Sequence, residues 1–270
     1  MWVQSREFTL TDVLDLVPPG DRLARPDLAE QALEGLVRAG AYRATEAMHC
    51  RIAVADVLSD ADVRIDQLLH GEIFDVLERS NGRAWGRARR DGVVGWVVTD
   101  SLSGGAPLAT HRVAGVDAAL PLNALVVEKA EGLDPADLSP VGAFETDLAA
   151  VAERLLGRPH EPGARSSIST DCSGLVQQAL LACGLAGPRR SDAQARLGRA
   201  VAAADAGRND IVVWLAPPGD QDWTGHSALM LDGERIIHAT GGKGVVIEPL
   251  AEVEARLVAE GFETALFRRL

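Results

Sequence analysis

Hydrophobic and polar positions change rhythm along this 270-residue chain, and the changes divide it. Between Asp27 and Arg43, Leu28, Ala32, Leu33, Leu36 and Val37 recur at helical spacing, with Asp27 as N-cap and Gly40 as stop. Pro18-Pro19-Gly20 and Arg25-Pro26 break what lies around them, so residues 1–46 read as a helical or irregular lead-in. From 47 to 102 the rhythm shortens. Apolar runs at 52–58, 67–69, 73–77, 84–87 and 93–98 alternate with Ser80-Asn81-Gly82 and Arg90-Asp91-Gly92, which are hairpin punctuation. So many strands so close together predict a small β-barrel. Residues 103–142 open on a linker signal, Ser103-Gly104-Gly105-Ala106-Pro107, and hold short runs at 110–113 and 122–127. They read as a linker or a second, much reduced barrel unit. In 143–270 a helical period returns: Phe144, Leu148, Val151 and Leu155 predict a helix over 144–156, and a second helix starts near Cys172. An alanine-rich helix is predicted over 192–205. Strands follow at 211–215, 227–231, 235–238, 245–247 and 265–267, with a helix near 250–260 before the last. Helices followed by hairpin-linked strands predict an α+β domain with an antiparallel sheet.

Composition narrows the classes. A net charge of −12 argues against a nucleic-acid or anionic-membrane partner, and an anionic substrate would need local arginines such as Arg189 and Arg190. No run approaches the ~20 apolar residues of a membrane span. The first residues lack an apolar stretch behind a basic start, so a cytoplasmic location is expected. Cys50, Cys172 and Cys183 cannot all pair. Cys172 and Cys183 would lie about 16 Å apart on one helix, too far for a disulfide. No Cys or His spacing suggests a metal, and no cofactor is expected.

The chemistry concentrates at Thr170-Asp171-Cys172-Ser173-Gly174-Leu175-Val176. Thr170 or Asp171 can cap a helix that carries Leu175, Val176, Ala179, Leu180 and Cys183, with Gly184 as its stop. Cys172 then sits in the first turn, where exposed N–H groups and the helix dipole favour a thiolate. A small buried hydrophobe is the commoner use of such a cysteine. A nucleophilic thiol needs a base, and the base needs an orienting partner. His226 and His238 flank a predicted hairpin. If Leu231-Asp232-Gly233 forms a three-residue loop with Gly233 left-handed, His226 faces His238 directly and both rings share one face. A two-residue Asp232-Gly233 turn would separate them. With the first loop, Cys172 is the nucleophile, His226 the base and acid, and His238 a neutral orienter, while the Cys172 N–H serves as oxyanion donor. His49, His70, His111 and His160 read as structural or solvated.

The run 171–176, with 225–231 and Ile237-His238-Ala239, resembles the NlpC/P60 family of papain-like cysteine peptidases; Asn209-Asp210-Ile211-Val212-Val213-Trp214 sits where that family has a Gly-Asp-Leu-Val strand. The pattern 68–77, Trp85-Gly86-Arg87 and 91–97 resembles a bacterial SH3 domain. The pair is similar to bacterial γ-D-glutamyl-L-diamino-acid endopeptidases. The resemblance implies an SH3-like barrel at 47–102 followed by an NlpC/P60 domain at 143–270, helices packed on an antiparallel sheet. It implies a catalytic Cys172, His226 and His238, and cleavage of the γ-D-Glu–diamino-acid amide in small murein peptides with a free N-terminal L-Ala. It places Asp171, Ser173 and Ser191 against the D-Glu portion, and Glu72 on the L-Ala amine. Two departures stand out. His160-Glu161-Pro162-Gly163 replaces the family's Tyr-x-Trp-Gly-Gly, and Asp91-Gly92-Val93-Val94-Gly95 lacks the SH3 tyrosine. A thiol amidase or acyltransferase on another substrate, or an inactive peptide-binding relic, are the competing readings.

Overall fold

The computed structural model describes residues 22–217, 219 and 223–270. Pro18-Pro19-Gly20 lies outside them. The helix expected over 27–43 does not form. A two-residue strand, Ala29–Glu30, a 3-10 turn, Gln31–Leu33, and a strand, Tyr42–Arg43, take its place. Gly35 adopts φ +81°, which ends any helix there, and Leu28 is buried against Leu23, Leu77 and Trp85 of the barrel instead of building a helical face.

Seven strands form the barrel sheet, in the spatial order Arg64–Leu69, Val54–Leu58, Val94–Val98, Arg83–Ala88, Ile73–Ser80, Glu46–Cys50, Leu102–Gly104. Alternation along these strands points Val57, Leu68, Phe74, Val76, Ala84 and Val97 into one core. Residues 103–142 carry a three-stranded antiparallel sheet, His111–Val113 between Leu125–Val126 and Leu138–Pro140. Its core takes Leu69 from the barrel, so the two sheets share a boundary.

The C-terminal part is an antiparallel six-stranded sheet, in the order Arg199–Val201, Leu266–Arg269, Ile211–Leu215, Gly225–Met230, Arg235–Thr240, Gly244–Pro249. Strand parity sorts its two faces. Ile211, Val213, Leu229 and Ile237 meet the helices Leu148–Glu153 and Cys172–Ala182. Val212, Trp214, Ala228, Met230 and Ile236 meet the helix Leu250–Ala259. Leu175 and Leu180, fully buried, each contribute roughly 1.5–3 kcal/mol of transfer free energy. The helix expected over 144–156 is shorter and begins after the Asp147 cap, whose carboxylate accepts from the Ala150 N–H. The helix expected over 192–205 is reduced to Ser191–Gln194. Residues 199–201 instead pair with the C-terminal strand, a long-range contact that outweighs alanine's local preference. No helix among the described residues is long and apolar enough to cross a membrane.

Candidate active site

The Cys172–Ala182 helix starts as its sequence dictates. Asp171 is the N-cap, and its Oδ1 accepts from the Gly174 N–H at 2.7 Å. Gly174 lets this first turn press against the 164–165 loop, because a Cβ there would lie 2.4 Å from the Ala164 carbonyl oxygen. Cys172 Sγ lies 4.0 Å from the carbonyl oxygen of Gly225, the residue before His226. Cys172, His226, Asp171, Ser173 and Ser191 all line one cavity of about 580 Å³. Its other wall comes from the barrel, through Val63, Ile65, Val93 and Val94, and its rim carries Trp223 stacked on Phe262 with ring centroids 5.2 Å apart.

The hairpin differs from its expected form and still delivers the two imidazoles. Met230 pairs with Ile236, not Glu234, so His226 does not face His238 directly. The loop is Asp232-Gly233-Glu234, closed when the Leu231 N–H donates to the Arg235 carbonyl. The Asp232 carboxylate accepts from the N–H groups of Glu234 and Arg235, so it shapes the turn in place of a left-handed Gly233. The register moves by two, side-chain parity survives, and the rings become diagonal neighbours on one face. His226 Nε2 and His238 Nδ1 are 2.7 Å apart, with the rings perpendicular.

Sequence reasoning missed the next link. His238 Nε2 lies 2.8 Å from Glu248 Oε2, and Glu248 also accepts from Lys243 Nζ at 2.7 Å and from Arg256 at 3.2 and 3.3 Å. The residues 244–249 form the neighbouring strand, in which Ile236 pairs with Glu248. Only that pairing reveals the contact; the sequence carried no signal for it. His238 is fully buried and does not line the cavity.

Protonation follows the environment. Burial, aided by the neighbouring His238, pulls the His226 imidazole down to about 3, and burial pulls His238 down as well. Burial opposes the charge on Glu248, but hydrogen bonds from Arg256, Lys243 and His238 hold its carboxyl at about 2. The Cys172 thiol departs from expectation. Burial, then the Asp171 carboxylate beside it, push it up to about 11, against the pull of the helix start. The resting pair is a thiol and a neutral imidazole.

Glu72 is not brought to the cavity. It is 1 % exposed, and its oxygens accept from Arg165 Nη1 and Nη2 (3.2 and 2.5 Å), Arg90 Nη1 (2.9 Å) and the Leu69 N–H (3.0 Å). Against the cost of burial, Arg165 and Arg90 hold its carboxyl below the usual range. Arg165 also binds Asp66 at 2.9 Å, and Asp66 lies 2.9 Å from Arg189. Arg189 in turn grips both oxygens of Asp171 at 2.6 and 3.0 Å and donates to Ser173 Oγ at 2.9 Å. Arg189 is therefore occupied and is no open anion site, and Asp171 is neutralised where it lines the cavity. Ser191 Oγ donates to the Gly225 carbonyl at 3.2 Å and accepts from Ser227 Oγ at 2.9 Å. Among the described residues, no group of three or more His, Cys, Asp or Glu side chains is arranged to hold a metal ion.

Comparison with known proteins finds two segment matches and a shared fold. Residues 157–258 match the NlpC/P60 family, and residues 59–102 match the bacterial dipeptidyl-peptidase SH3 domain. An NlpC/P60 family protein from Bacillus cereus ATCC 10987 is 15% identical, with a TM-score of 0.68 over 83% of this chain and 99% of that one, so the two share a fold. NlpC1 from Trichomonas vaginalis is 16% identical, covering 85% of this chain and 94% of that one, with a TM-score of 0.44. The curated proteins give no match. The segment that carries Cys172, His226 and His238 thus lies within the match to the NlpC/P60 family at 157–258, and the barrel contains the match to the bacterial SH3 domain at 59–102.

Proposed function

We propose that this protein is a cysteine peptidase that opens an amide in murein-derived peptides, with Cys172 as nucleophile, His226 as base and acid, and His238 as orienter. The observation that carries the reading is the shared cavity: Cys172 and His226 both line it, and His226 is held from behind by His238 at 2.7 Å. The thiol proton passes to Nδ1 of His226 as sulfur attacks the carbonyl carbon and the S–C bond forms. The oxyanion is received by the Cys172 N–H at the helix start. His226 returns the proton to the leaving amine as the C–N bond breaks, leaving a thioester. Water, deprotonated by His226, then releases the carboxylate and restores the thiol.

The substrate proposed is the γ-D-Glu–diamino-acid amide, with Asp171, Ser173 and Ser191 beside the D-Glu portion. The test is incubation with L-Ala-γ-D-Glu-diaminopimelate followed by mass spectrometry. Wild type releases the diamino acid, Cys172→Ala loses at least about a thousandfold in rate with its fold intact, and a thiol alkylator labels Cys172 before Cys50. Full activity in Cys172→Ala would refute the reading, and a peptide that binds but stays intact would favour a relic. The position of Glu72 favours a second reading, in which a thiol amidase or acyltransferase takes an acyl portion without a free amine. Cleavage of the N-acetylated peptide as fast as the free one would select it.

A further inference from the structure

The two imidazoles end on a carboxylate, and that fixes where every proton in the line sits. An ionised Glu248 can only accept, so His238 Nε2 must carry the hydrogen that spans the 2.8 Å to Oε2. In a neutral ring the other nitrogen is then bare, so His238 Nδ1 accepts, and the hydrogen across the 2.7 Å contact belongs to His226 Nε2. Nδ1 of His226 is left with a free lone pair, and His226 is the member of the line that lines the cavity beside Cys172.

We propose that Glu248 is a positioning residue for the reaction: its carboxylate locks both imidazoles in the tautomers that leave Nδ1 of His226 bare, and it places a negative charge behind the imidazolium as that forms. The proposal rests on Cys172 and His226 acting as described above. A neutral histidine as third member supplies geometry without charge, and Glu248 supplies the charge one ring further back. The surrounding groups are few. Lys243 and Arg256 face Glu248, Glu254 from the same helix as Arg256 faces the Trp214 indole, and His160 and Asp171 lie on the cavity side of His226. Lys243 and Arg256 keep Glu248 ionised, so it remains an acceptor through neutral pH.

The test uses the full chain, with ring nitrogens observed by 15N NMR, kcat and KM on the cleaved peptide, and the pH profile of Cys172 alkylation. Glu248→Gln keeps an acceptor oxygen and removes the charge. The tautomers persist, kcat falls about tenfold with KM within about twofold, and Cys172 alkylates more slowly near neutral pH, because a less stable imidazolium lowers the population of the thiolate–imidazolium pair. Glu248→Met removes acceptor and charge, the tautomers become mixed, and the loss in kcat grows to about a hundredfold. Lys243→Gln takes a cation from Glu248 without touching the His238 bond. Its tautomers stay as in wild type, which separates positioning from loss of an ion pair. Wild-type tautomers in Glu248→Met, or an unchanged alkylation profile in Glu248→Gln, would overturn the proposal. If Glu248→Met fails to fold, Glu248→Gln decides. Tautomers are read without turnover, so a wrong substrate leaves the test standing, while a wild-type Cys172 that alkylates no faster than Cys183 marks failure of the nucleophile assignment instead.

Discussion

Two buried polar arrays flank Cys172, and they are built on opposite plans. On the barrel side stand three arginines, Arg90, Arg165 and Arg189, against four carboxyls, Asp66, Glu72, Asp91 and Asp171. Arg165 is inaccessible, as are Asp66 and, nearly, Glu72, and each guanidinium is matched to carboxylates at fixed distances. On the sheet side the line His226–His238–Glu248 holds neutral rings, carries its charge only at the far end, and opens on the cavity. The first array is closed by its own ion pairs and ties the barrel to the loop before Cys172. The second has one bare nitrogen at its open end. A dense cluster of buried charges is therefore the strut here, and the quieter neutral pair is the place for chemistry.

Removing a member of each array gives the widest separation. His226→Ala should lower kcat/KM by about 10³–10⁴-fold, measured on the peptide that Cys172→Ala fails to cut, while thermal unfolding shifts little. Arg165→Met should do the reverse. It strands the ionised Glu72 in the interior, at a cost of about 3–5 kcal/mol in denaturant unfolding, while the remaining folded protein keeps its kcat. A loss of activity in Arg165→Met beyond the unfolded fraction would break the division of labour.

Glu72→Gln sharpens it further. The amide still accepts from Leu69 but no longer balances Arg165 and Arg90, and about 1–3 kcal/mol of stability should go. KM for a free-amine peptide and for its N-acetylated form should rise together or not at all. A selective rise for the free amine would return Glu72 to the substrate.

The difference in how legible the two arrays were has a physical origin. Cys172, its Asp171 cap and the strand at 211–215 follow from local chemistry, since caps, periodicity and turn residues act within a few positions. The two histidines share one face in either loop register, because parity tolerates a shift of two. Glu248 and the contacts of Arg165 depend on pairing between strands and on packing across the barrel boundary, which no local pattern encodes. The same holds for 199–201, where the partner is the far C-terminus, and for Glu72, whose burial was set by an arginine 93 positions away.

Acid and base separate the arrays by sign. His226 and His238 have folded values pulled below the ordinary 6.5, so the unfolded chain takes up their protons first as pH falls. Their contribution to stability is complete above about 6.5 and drains away toward acid, by up to about 1.4 kcal/mol per pH unit for each proton. Asp66 runs the other way. Burial pushes its carboxyl from 3.8 up to about 8, and its Oδ2 has no hydrogen-bond partner among the described residues to favour ionisation. The folded protein holds that proton where the unfolded chain has released it, so this contribution is complete below about 4 and is lost as pH rises to about 8. Between about 4 and 6.5 the two effects oppose, and above 6.5 Asp66 acts alone. Urea unfolding across pH 4–8 should therefore show a shallow rise followed by a decline. In Asp66→Asn the rise steepens and the decline disappears. A decline that survives in Asp66→Asn would mean that the proton belongs to another group.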